Sequence, residues 1–139
     1  TLQRPYSGHY QKRRAPRMTE FITGEKERAR LALEAARAVL NIDPNSAANR
    51  TFYVAFHAFT AFFASRGQTF TRHATLRNAI HRDLILTGEL PTSIGKDFDF
   101  LMDMRDSGDY GGLIHVSLSD AQAAIETADR ILSTVIPLC

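Results

Sequence analysis

From residue 23 to the end of the chain, apolar side chains recur at intervals of three and four, the period of an amphipathic α-helix, in five successive stretches. Thr23 is a candidate cap for the first, with Glu25 and Glu27 in its opening turn and Ala29, Ala32, Leu33, Ala36 and Leu40 on its buried side. It is expected to end near Asn41. Asp43 followed by Pro44 predicts the start of a second, long helix running to about Arg66 and Gly67. The third, from about His73 to Thr87, carries Leu76, Ile80 and Leu84 in one row and stops before Gly88 and Pro91. The fourth begins after Pro91 and ends at the glycines around 108 to 112. Ser119 with Gln122 three residues later predicts a capping box for the fifth, whose stripe is Ala121, Ala124, Ile125, Ala128, Ile131, Leu132 and Val135. No stretch reads convincingly as a strand. The fold class is therefore all-α: an antiparallel up-and-down helical bundle of four to five helices.

Composition sharpens this picture at the N-terminus. The net charge of +2 over 139 residues conceals an uneven distribution: residues 1–17 carry five of the 17 basic side chains and no acid, so the remaining 12 face all 15 acidic ones, a balance of −3. With Pro5, Gly8 and Pro16 and no apolar period, residues 1–20 read as a basic tail, flexible or non-native, with Met18 a candidate start. Residues 21–136 are read as one bundle domain. No apolar run approaches the ~18 residues of a membrane span, and nothing has the pattern of a signal peptide. A single cysteine, Cys139, excludes an internal disulfide framework and fits a reducing compartment, so a cytoplasmic protein without membrane partner is expected. The Asn49-Arg50-Thr51 sequon is then coincidental.

Several kinds of chemistry lack their residues. A di-iron bundle needs Glu-x-x-His pairs, and none of the five histidines follows a glutamate at that spacing. His57, His73 and His81 have no carboxylates at ligand spacing, so no metal and no other cofactor is expected. There is no glycine-rich phosphate loop and no nucleophile elbow. No repeat or low-complexity segment is present. Arg77 and His81, four apart on one helix, are able to share a phosphate; a solvated face is the plainer reading.

Two segments remain to be explained. In the second helix, Phe52, Phe56, Phe59 and Phe63 form a core stripe, while Arg50, Tyr53, His57 and Ala61 follow the same rhythm on a neighbouring face. Tyr53 and His57 are either amphipathic packing residues or part of a binding surface. In the fourth helix, Ile94, Phe98, Leu101 and Arg105 occupy one stripe, which puts a guanidinium in an apolar slot. A partly buried guanidinium requires an anionic or carbonyl partner. Asp106 and Asp109 are the internal candidates; a bound anion or nucleotide is the functional alternative.

Taken in order, Asn49-Arg50-x-Phe52-Tyr53-x-Ala55-Phe56-His57-Ala58, then Gly67, His73, the Thr87-Gly88-Glu89-Leu90-Pro91 turn, Arg105-x-x-x-Asp109-Tyr110 and an alanine-rich last helix, the chain resembles the HEPN family over about residues 22–135. The resemblance implies an all-α bundle, usually a homodimer, often paired with a minimal nucleotidyltransferase as a toxin–antitoxin or defence couple. Many members are metal-independent ribonucleases whose arginine is followed, four to six residues on, by a histidine. In that chemistry the arginine steadies charge on a phosphate and the histidine moves a proton.

Here Arg105 matches the arginine, but positions 110 to 112 hold Tyr110, Gly111 and Gly112, and His115 is too distant. An aspartate at 109 would repel the phosphate, and tyrosine is a poor base at neutral pH. The resemblance therefore implies a non-catalytic or weakly active member that binds a nucleotide, an RNA or a nucleotidyltransferase partner through Arg50, Tyr53, His57, Arg105, Asp109 and Tyr110. The alternatives are a ribonuclease toxin in which Arg105 acts with His57 or His73, and a structural bundle without ligand.

Overall fold

The computed structural model describes residues 17–109 and 115–139, with side chains omitted at 107–109. Within them the chain forms five α-helices and no strand: α1 (Met18–Val39), α2 (Pro44–Ala64), α3 (His73–Ala79), α4 (Thr92–Asp109) and α5 (Leu118–Val135). A π-helical segment, Ile80–Ile85, prolongs α3, and a 3-10 turn, Ile136–Leu138, follows α5. No described helix is long and apolar enough to cross a membrane.

The middle position belongs to α2, which packs against α1, α4 and α5. Its composition explains why. Of its 21 residues, 13 are buried, among them Phe52, Phe59, Phe62 and Phe63, and the alanines between the rings let three helices approach it. Phe56, expected in the same stripe, is only partly buried and lies toward α3. The start of α2 is fixed as its sequence predicts: the Asp43 carboxylate accepts the Ser46 amide at 3.3 Å and the Ser46 hydroxyl at 2.5 Å, and Pro44 occupies the first turn, where a missing N–H is harmless. Those two bonds hold the Asp43 carboxyl below its usual range.

Three boundaries differ from the sequence expectation. Helix α1 begins at Met18, not at a Thr23 cap; its first turn closes through the Phe21 amide on the Arg17 carbonyl (2.9 Å), and Phe21 and Ile22 within it are half-buried. The third helix does not continue as α-helix to Thr87. After Ala79 it widens, with the Leu86 amide donating to the carbonyl of His81, five residues back. The wide turn keeps Ile80 and Leu84 buried and lays the His81 ring over Gly95 of α4, where a β-carbon would sit 2.9 Å from His81 Cε1. Finally, α5 is capped by Ser117, whose hydroxyl accepts the Asp120 amide at 3.0 Å, and not by the Ser119–Gln122 box. Buried Val116 sets that start: it packs on Ala47, Ala48 and Ala121, and its amide donates to Asn45 Oδ1 on α2 at 2.8 Å.

Candidate functional site

The end of α4 brings Arg105 against the first half of α2. As its stripe predicts, the residue follows buried Ile94, Phe98 and Leu101, and its side chain is one-quarter exposed. The guanidinium carbon lies 5.6 Å from the Phe52 ring centre and 5.9 Å from that of Tyr53, at the outer reach of a cation–π contact with both. Arg105 Nη1 also donates to Asp106 Oδ1 at 3.2 Å. Asp106 thus supplies an internal counter-charge, while Tyr110 and the Asp109 side chain, the other members of that motif, lie outside what the structure describes.

His73, the first residue of α3, completes this cluster. Its ring centre stands 4.8 Å from those of both Phe52 and Phe56 and 5.9 Å from that of Tyr53. Burial among these rings pushes the imidazole below its ordinary pKa, the Arg105 charge lowers it further, and Asp106 partly counters both. A neutral histidine and a guanidinium therefore share one aromatic patch. Either ring nitrogen of such a histidine is able to donate or accept, according to tautomer.

His57 and Arg50 are placed differently. His57 stacks loosely on Tyr53 (6.2 Å), but its Nδ1 lies 2.9 Å from Glu25 Oε2 of α1, a close polar contact whose geometry falls short of a hydrogen bond. Both side chains are largely buried there. Arg50 is exposed at the rim of a groove of about 560 Å³ between α1 and α2, which Tyr53 and His57 also line. The groove's other wall is Arg28, Leu31, Ala32 and Ala35 of α1, none of which the sequence singled out as functional. A pattern on one helix cannot reveal what a second helix sets opposite it. Tyr53 is thus shared between the Arg105–His73 cluster on one side and this groove on the other.

The remaining candidates form a separate group. Arg77 and His81 do share an anion, but it is a carboxylate of the protein: Arg77 Nε donates to Asp99 Oδ1 at 2.8 Å, and His81 Nε2 lies 3.0 Å from the same oxygen. The plain solvated face gives way to a link between α3, its π-helical extension and α4. Among the described residues no group of three histidine, cysteine or acidic side chains is placed to hold a metal.

Comparison with known proteins agrees with the architecture. The chain is 29% identical over 111 residues to a UPF0332 protein of Thermotoga maritima (strain ATCC 43589 / DSM 3109 / JCM 10099 / NBRC 100826 / MSB8), covering 79% of this chain and 84% of that protein. It superposes on the crystal structure of TT1696 from Thermus thermophilus with a TM-score of 0.71, over 85% of this chain and 98% of that one, at 19% identity, a likeness of fold. The HEPN domain family model matches residues 25–137, from the α1 glutamate that meets His57 to the turn after α5. With four-fifths of its length inside that match, the chain belongs to the HEPN domain family.

Proposed function

We propose that this HEPN domain is a binding module whose Arg105–Tyr53–His73 cluster receives a phosphate-bearing ligand, a nucleotide or RNA, in a homodimer that works with a nucleotidyltransferase partner as a toxin–antitoxin or defence pair. One observation carries the ligand reading. A one-quarter-exposed guanidinium lies along two aromatic faces beside a histidine kept neutral, which offers a charged fork for phosphate, a ring for a base and a hydrogen-bonding edge for a hydroxyl. Asp106 on Arg105 competes with a bound anion and lowers its affinity. Thermal-shift titration with nucleoside mono-, di- and triphosphates tests the proposal. A ligand at 100 times its dissociation constant adds about 2.7 kcal/mol of stability; no shift with any nucleotide or short RNA would remove the reading.

A second reading draws on His73 specifically. Its electrostatic coupling to Arg105 makes it the better stand-in for the histidine missing from the Arg105 motif, because His57 is committed to Glu25. On that reading His73, neutral at pH 7, takes the proton of an RNA 2′-hydroxyl while Arg105 steadies the phosphate. Metal-independent RNA cleavage that disappears in both His73→Ala and Arg105→Ala would establish the ribonuclease and displace the non-catalytic proposal.

A further inference from the structure

Seven of the eleven arginines among the described residues meet a carboxylate there: Arg30, Arg37, Arg66, Arg77, Arg82, Arg105 and Arg130. Arg17, Arg28, Arg50 and Arg72 meet none among those residues, and of these four Arg28 and Arg50 border the α1–α2 groove. Between them Leu31 is 47% exposed, next to Ala32 and Ala35, whose small size leaves room for close approach of another backbone. The Glu25–His57 contact fixes the antiparallel register of the two helices. At 1.5 Å per residue that register sets Arg28 and Arg50 on opposite walls, about 6 Å apart along the groove, roughly one helical turn.

Nucleic acid suits this surface poorly. Glu20 and Glu25 line the adjoining hollow, which shares Arg28, so carboxylates close that end of the groove. A strand needs a continuous basic track for its evenly spaced phosphates; here two isolated cations sit on a body whose balance beyond residue 17 is −3. A third helix matches better, because its apolar stripe meets Leu31 and the alanines while its charged positions flank that stripe at helical intervals. We infer that the α1–α2 groove is a docking site for an amphipathic helix of a partner protein that carries carboxylates on both flanks of its apolar stripe. This site adjoins the phosphate-binding cluster, with which it shares Tyr53, but uses neither Arg105 nor His73.

The test uses a synthetic three-heptad helix with alanine at a, leucine at d and glutamate at e and g, the glutamates preventing it from pairing with itself. Titrated into the isotopically labelled full chain, it is expected to shift the amide signals of Arg28, Leu31, Ala35, Arg50 and Tyr53. Binding should weaken at least tenfold in the Arg28→Glu/Arg50→Glu variant and return when the helix carries lysine at e and g. Both arginines are exposed, so the variant should keep its fold; an unchanged spectrum elsewhere verifies this, and Arg28→Gln/Arg50→Gln replaces it if it does not. The inference is overturned if the glutamate helix leaves these amides unmoved, if charge reversal has no effect, or if a short RNA shifts them and the helix does not.

Discussion

Arg105 and His73 illustrate how two side chains far apart in sequence come to set one another's chemistry. The apolar stripe of α4 carries the guanidinium to the edge of the core, and the aromatic face of α2 receives both it and the imidazole. The placement of Arg105 was legible from spacing alone. That of His73 was not, because nothing within α3 tells which rings will pack on its first residue. Since Arg105 lowers the His73 pKa and Asp106 raises it, nuclear magnetic resonance titration should find it higher in Arg105→Gln and lower in Asp106→Asn than in the parent. The sign for stability follows from the lowered value: the neutral form is favoured on folding, so this contribution is complete above the ordinary histidine pKa of about 6.5 and is lost as pH falls through the lower folded value. Melting temperature should therefore decline on acidification below about pH 6.5, with a shallower slope in His73→Gln. Equal slopes would show that the ring does not sit in this environment.

At the level of elements, the five helices were readable from their periods and breakers, and the Asp43–Pro44 start of α2 from its cap alone. The discrepancies have tertiary causes. Val116, buried against α2, draws the start of α5 back to Ser117, and the packing of His81 over Gly95 accompanies the widened end of the third helix. Those packing partners lie on other helices, out of view of local pattern. Two glycines test this distinction. A β-carbon added at Gly24 in α1 would have nothing within 4 Å, so Gly24→Ala should gain about 0.5–1 kcal/mol from helix propensity. At Gly95 the same methyl would meet His81 and Ile85 at 2.9–3.0 Å, with His81 tethered to Asp99. Overpacking of about 1–3 kcal/mol then outweighs the propensity gain of about 1 kcal/mol, and Gly95→Ala should unfold at lower denaturant concentration than the parent. A Gly95→Ala protein as stable as Gly24→Ala would show that the π-helical turn yields freely.

For the molecule as a whole, the defining feature is a central helix with one side left incompletely covered. Helices α1, α4 and α5 bury most of α2, while Arg50, Tyr53, Phe56 and His57 stay partly accessible. Family membership was legible from the order of short motifs around those residues, and the family match over residues 25–137 accords with it. What the motifs could not convey is that the exposed side divides in two, an arginine–histidine patch toward α4 and a groove toward α1, with Tyr53 between them. Calorimetric titration of a nucleoside diphosphate into the parent, Arg105→Ala and, as a control arginine that pairs with its chain neighbour Asp83, Arg82→Ala tests the central claim most directly. Removing a charge-assisted contact of about 1.5–3 kcal/mol should weaken binding roughly tenfold to a hundredfold in Arg105→Ala and leave Arg82→Ala near the parent value. Equal affinities in the parent and Arg105→Ala would contradict the account.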